Sequence, residues 1–195
     1  KARWLEPGFA YMRISTFQGD TGFEFRKQWQ KLVESSNATK LTGLILDLRS
    51  NPGGLVTAAV DLADEVLAEV VIVSIKGRNA LTNTTYYGKP GQSFEGVKVL
   101  VLIDAGSASA SEILAGALQD HQRATIMGSR SFGKGSVQNV FYLDNGDAFK
   151  ITTARYYTPN NRSIQAQGIV PDVLLEGNGK AGYTEKDLPK HINGG

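Results

Sequence analysis

Apolar and polar positions along the chain switch repeatedly between a period of two and a period near 3.6. Residues 9–14 read as a strand, and after Gly19 and Asp20 the stretch 21–34 places Phe25, Trp29, Leu32 and Val33 on one face of a helix. Residues 44–48 form an almost unbroken apolar run, as in a strand buried on both faces; Ser50-Asn51-Pro52-Gly53-Gly54 ends it, and residues 56–69 return to the helical period. Buried strands are predicted over 70–75 and 97–103, joined by a polar segment, 77–96, rich in Gly, Asn and Thr and without a period. A helix of small residues over 109–120 and a short strand over 123–127 follow. Two further strands, 137–143 and 148–156, face each other across Asn145-Gly146, a dipeptide that tolerates the positive φ a tight hairpin turn needs. Strands alternating with helices predict an α/β layered core, over 1–175, with a β-hairpin. The polar, glycine-rich residues 176–195 read as a C-terminal tail.

Composition narrows the function classes. The 195 residues suit one domain with one core. With 41% apolar and 21% charged residues and a net charge of +2, the chain has the make-up of a globular protein. Its basic residues are scattered, which argues against a nucleic-acid surface, and no apolar stretch is long enough to span a bilayer. The absence of cysteine removes disulfides, thiol catalysis and thiolate metal sites, and two isolated histidines, His121 and His191, make a histidine-rich metal centre implausible.

Three glycine-rich or serine-rich segments that follow predicted strands carry candidate chemistry. In Asn51-Pro52-Gly53-Gly54 the glycines leave backbone amides unscreened before a helix, where they can bind an anion; the plain alternative is a strand-to-helix turn. In Gly106-Ser107-Ala108-Ser109-Ala110-Ser111-Glu112 a serine stands at a helix N-terminus, where free amides stabilise developing negative charge; the alternative is an N-cap, and Ser109 to Glu112 spells a capping box. Histidine does not serve as that serine's base. At about 1.5 Å per helical residue His121 lies roughly 18 Å from Ser109, and His191 has no carboxylate to orient it. Lysine can take the role where burial strips its proton. Lys134, in Ser131-Phe132-Gly133-Lys134-Gly135-Ser136, is the candidate, with Phe132 as its shield; the alternative is an exposed turn lysine. Gly128 to Lys134 nearly spells a P-loop but lacks the Ser or Thr after the lysine and the following helix. Gln138 reaches Lys134 if the chain turns at Gly135 and Ser136, and lies about 13 Å away if it is extended. Asp47, Glu112 and Asp120 are read as dispersed carboxylates serving helix ends or solvent.

These motifs, in this order, with Tyr156-Tyr157-Thr158-Pro159-Asn160 and Gly168-Ile169-Val170-Pro171-Asp172, resemble the bacterial carboxyl-terminal processing proteases, the tail-specific S41 peptidases with a Ser-Lys dyad, over residues 5–175. The resemblance implies a ClpP/crotonase-like fold, Ser109 as nucleophile, Lys134 as general base and Gln138 as the residue orienting the lysine. It implies an oxyanion hole from the amides of Ala110 and a glycine of the Asn-Pro-Gly-Gly turn, with Gly54 preferred over Gly53. It further implies a serine endopeptidase cleaving near flexible, apolar C-termini in the bacterial periplasm, without cofactor, metal or ATP, and leaves room for an adaptor protein and an oligomer. The PDZ domain normal in such proteases is absent from these residues, so the reading is a catalytic core alone. Two rivals are a catalytically incompetent peptide-binding core and, more remotely, a crotonase-like acyl-CoA enzyme.

Overall fold

A computed structural model describes residues 1–35, 40–91, 93–175, 182–189 and 191–194. The chain opens with an antiparallel pair, β1 (Ala2–Glu6) and β2 (Phe9–Arg13), then α1 (Thr21–Glu34), β3 (Gly43–Asp47) and α2 (Val56–Asp64). β4 (Val71–Gly77) and β5 (Thr84–Tyr87) follow, then β6 (Lys98–Ile103), α3 (Ala110–Asp120) and β7 (Ala124–Gly128). The long hairpin of β8 (Ser136–Tyr142) and β9 (Ala148–Tyr157) precedes the short β10 (Val173–Leu174). Among the described residues ten strands form two sheets, ordered β1-β2-β3-β6-β7-β10 and β5-β4-β9-β8.

The first sheet is parallel from β2 to β10, which explains the unbroken apolar runs of β3 and β6: Leu44, Leu46, Val99, Val101 and Ile103 are all buried. The second sheet is antiparallel. α3 packs against β7 of the first and β4 of the second, and its nine residues from Ala110 to Leu118 are buried. A helix enclosed on all sides needs small residues. A Cβ on Gly116 would stand 2.8 Å from Thr158 Cγ2 and 3.0 Å from Ile169 Cδ1.

Several expectations are met in outline and altered in detail. On α1, Phe25 and Leu32 are buried and Trp29 is half-buried against the Phe94 ring at 4.9 Å, whereas Val33 faces solvent. α2 stops at Asp64, short of residue 69, because tight bonds from Val66 and Leu67 to Ala63 and from Val70 to Ala68 turn the chain into β4. The unassigned segment 77–96 contains β5, an edge strand, and Phe94, which is buried. β1 was not expected; its alternation is short, with Ala2 and Trp4 packed against the core and Arg3, Leu5 and Glu6 exposed. The hairpin turn forms at Asn145-Gly146, with Gly146 at φ 88° and Leu143 N–H donating to the Asp147 carbonyl at 2.8 Å. Of the expected tail, residues 176–181, 190 and 195 lie outside the described residues. The remainder contacts the core: Glu185 N–H donates to the Phe132 carbonyl at 2.9 Å, and Gln165 Nε2 donates to the Ile192 carbonyl at 3.0 Å.

Candidate active site

β3, β6 and β7 are neighbours in one parallel sheet, so the loops that leave their C-terminal ends lie side by side. Those loops are Ser50-Asn51-Pro52-Gly53-Gly54, Asp104 to Ser109, and Ser129 to Gly135. Open α/β sheets hold their ligands at this end of the strands.

Main-chain and buried side-chain bonds lock the first two loops together. Asn51 is fully buried; its side-chain amide donates to the Ile14 carbonyl and accepts from Gly53 N–H, both at 2.9 Å. Its own carbonyl accepts from Ser111 Oγ at 2.9 Å and Ala108 N–H at 3.0 Å. Ser107 Oγ donates to the Leu48 carbonyl at 2.8 Å, and Ser50 N–H donates to Asp104 Oδ1 at 2.8 Å. Gly53 permits this approach, since a Cβ there would lie 2.6 Å from the Ala108 carbonyl oxygen and 2.8 Å from Ser109 Cβ. Phe17 pairs with the turn in parallel, its N–H donating to the Gly53 carbonyl and its carbonyl accepting from Leu55 N–H, each at 2.9 Å. Gly53 N–H is thus spent on Asn51. Among the described residues no acceptor engages the Gly54 or Ala110 N–H.

Ser109 is the residue before α3, half-buried, with φ 54° and ψ −114°. Positive φ is uncommon at a residue other than glycine, and such a conformation persists only where surrounding contacts impose it. The contact here is Glu112. Fully buried, its carboxylate accepts Ser109 N–H at 2.8 Å and Lys134 N–H at 2.9 Å on Oε2, and Gly133 N–H at 2.7 Å and the Ser131 hydroxyl at 2.5 Å on Oε1. Burial dominates its titration and pushes its carboxyl up from 4.5 to about 7, against the Ser131 hydroxyl and the three amides, which hold it down. Glu112 therefore ties the Ser109 and Lys134 loops to α3, a role beyond the helix-end carboxylate expected. The signal available in the sequence was a carboxylate inside an otherwise small and apolar helix.

Asp47 also departs from the expected dispersed carboxylate. It is fully buried at the end of β3, paired with Arg49 at 2.8 Å and bonded to the Tyr11 hydroxyl at 2.6 Å, with Arg13 at 3.4 Å. Burial, which raises its pKa, is outweighed by the Arg49 guanidinium, the Tyr11 hydroxyl and the Arg49 amide, and the result is about 2. Asp120 pairs with Arg162 and accepts Asn160 N–H at 2.8 Å.

Lys134 and Gln138 are both exposed, and Phe132 is half-buried, so the dry lysine pocket expected from Phe132 is not formed here. The physical reason is the packing of the flanking glycines. Cβ atoms on Gly133 and Gly135 would meet the backbone of residues 164–168, so the main chain of this turn is clamped inward while the Lys134 side chain projects out. Among the described residues no hydrogen bond joins the Ser109 hydroxyl, the Lys134 amine and the Gln138 amide. His121 Nε2 lies 2.7 Å from the Val71 carbonyl and His191 bonds within its own segment, so neither takes part. Among the described residues no group of His, Cys, Asp or Glu is arranged to hold a metal, and no helix is long and apolar enough to cross a membrane.

This arrangement offers a hydroxyl at a helix N-terminus, two unengaged amides beside it and a lysine on an adjoining loop. The family model that matches it is peptidase family S41, over residues 8–175. The chain is 44% identical over 172 residues to a carboxy-terminal-processing protease of Bartonella bacilliformis, covering 88% of this chain and 40% of that protein. It is 40% identical over 166 residues to a carboxyl-terminal-processing protease of Synechocystis, covering 85% of this chain and 38% of that protein. Among solved structures it resembles a photosystem II D1 C-terminal processing protease with a TM-score of 0.78 at 35% identity, over 89% of this chain and 45% of that one. The chain spans about two fifths of the length of these curated relatives. On the match of the family model over most of its length, and on these identities, this chain belongs to peptidase family S41.

Proposed function

We propose that this chain is the catalytic core of a serine endopeptidase that cleaves polypeptides near flexible, apolar C-termini. The observation that carries the reading is the convergence of the Ser109 and Lys134 amides on Glu112, at the head of α3 and against the Gly53 turn. In the proposed reaction the Lys134 amine takes the Ser109 hydroxyl proton as Oγ attacks the scissile carbonyl. The tetrahedral oxyanion then lies between the N–H groups of Ala110 and Gly54, where the α3 dipole adds to two preorganised donors. The Lys134 ammonium protonates the leaving amine, the C–N bond breaks and an ester of Ser109 remains. Lys134 next deprotonates a water that attacks the ester, and its proton returns to Oγ as the acid departs. Gln138 orients the lysine amine once substrate is in place; catalytic bonds are commonly long in the free enzyme and tighten on binding. Gly54 is preferred to Gly53 as the second donor because Gly53 N–H is held by Asn51.

The relatives are named as processing proteases of bacteria and chloroplasts, which supports an extracytoplasmic site of action, the periplasm in a bacterium. Mass spectrometry of an unstructured peptide with an apolar C-terminus, incubated with the protein, tests the reading. Internal cleavage that disappears in Ser109→Ala and Lys134→Ala supports it, and intact peptide contradicts it. The exposed Lys134 amine favours one second reading, a core that binds peptide without cleaving it. Binding with no product distinguishes that case.

A further inference from the structure

Outside the candidate active site, the outer surface of the second sheet carries a cleft of about 450 Å³ lined by Lys76, Arg78, Thr152, Arg155, Tyr157 and Ile192 among others. Three cations border it, and no carboxylate does among the described residues. Lys76 on β4 and Arg155 on β9 are direct cross-strand partners. Like charges in that position repel and cost stability, and a bound anion would relieve that cost. Lys76 is held by the Asn161 side chain and stands 5.1 Å from the centre of the Tyr157 ring. Arg155 is half-buried, with no ion pair or side-chain hydrogen bond among the described residues. A solvated basic face is the ordinary fate of scattered lysines. A half-buried guanidinium set opposite a fixed ammonium, inside a concavity, is instead arranged for an anion.

The strand register locates the cleft relative to the candidate base. Arg155 pairs on its other side with Ser136 of β8, two residues after Lys134. Arginine recognises a carboxylate with two parallel N–H bonds, and lysine adds a point charge.

We propose that this cleft binds the free α-carboxylate of a polypeptide, with Arg155 and Lys76 as its principal contacts. The choice of a peptide carboxylate over other anions rests on the peptidase reading above; the anion site itself rests on the charge arrangement. A cleft of this kind would hold the chain end beside the loop that carries Lys134.

The test is fluorescence-anisotropy titration of the whole chain, carrying Ser109→Ala to prevent turnover, with a dye-labelled decapeptide ending in a free apolar residue and with its C-terminally amidated twin. The free acid is expected to bind about tenfold more tightly than the amide, the scale of one charge-assisted hydrogen bond. Arg155→Gln or Lys76→Gln, each placed in the same background, should bring the acid down to the affinity of the amide and leave the amide unchanged. The acid's advantage should shrink as salt is raised, and an amidated peptide with internal glutamates should bind no better than the plain amide. Equal affinities for acid and amide, variants without effect, or glutamates that substitute for the terminus would overturn the proposal. Arg155→Gln should not lower the Tm, since it removes a repulsion; a lower Tm with equal losses for both peptides would make Arg155 structural and also overturn it. The two readings fail separately. Cleavage by the unsubstituted chain that ignores amidation and Arg155→Gln sinks the carboxylate site alone, whereas Arg155-dependent binding with no cleavage sinks the peptidase alone.

Discussion

The main-chain N–H groups of Ser109 and Lys134, which belong to loops leaving neighbouring strands, donate to the same oxygen atom, Oε2 of Glu112, at 2.8 and 2.9 Å. A carboxylate with no solvent contact thereby sets the spacing between the proposed nucleophile and the proposed base. Glutamine in its place keeps the volume, but its amide group has an NH2 where two of the four donors now find an oxygen. We expect Glu112→Gln to lower kcat about a hundredfold through misplacement of the two loops, with a smaller effect on KM. Steady-state kinetics on an unstructured peptide read both values.

Glu112 also predicts a pH dependence of stability. Its carboxyl titrates near 4.5 when the chain is unfolded and at about 7 when folded. Between those values the folded state binds the extra proton, so stability falls as pH rises from 4.5 to about 7 and is flat above. Urea unfolding across that range should show the decline in the parent and lose it in Glu112→Gln.

Asp47 has the opposite sign. Its folded pKa of about 2 lies below the ordinary 3.8, so its contribution is fully present above 3.8 and is lost as pH falls towards 2. Asp47→Asn should remove about 2 kcal/mol near neutral pH and flatten the acid limb of the stability profile between those two values.

Ser109 is held at φ 54°, a region glycine adopts freely. Ser109→Gly should abolish peptide cleavage while raising stability by about 1 kcal/mol through release of strain. Ser109→Ala should abolish cleavage with little change in Tm. A fall in stability in the glycine variant would place the strain elsewhere.

Much of the framework was readable because it rests on local signals. Leu44, Leu46, Val99 and Val101 announce buried parallel strands, Asn145-Gly146 a hairpin and Ala110 to Leu118 a helix. β1 and β5 were not, since Arg3, Glu6, Thr84 and Tyr87 sit on exposed edges where no alternation is required. Ser109, Ala110, Gly54 and Lys134 could be singled out by turn and helix-end chemistry together with the family resemblance. The roles of Glu112, Asp47 and Asn51 could not, because their partners lie in elements distant in sequence: Ser131, Gly133 and Lys134 for Glu112, Tyr11 for Asp47, Ile14 and Ser111 for Asn51. For Lys134 the sequence offered both a shielded amine and an exposed turn lysine, and the structure has the exposed one. Only the packing of Gly133 and Gly135 against residues 164–168 decides which way its side chain points.

The most direct measurement of the central claim is peptide mapping by mass spectrometry after incubation with a peptidyl phosphonate bearing an apolar side chain, which phosphonylates an activated serine. The account predicts one adduct, on Ser109, that is lost in Lys134→Ala while the variant stays folded. Labelling of Ser109 at the same rate in Lys134→Ala, or adducts on other serines alone, would contradict it.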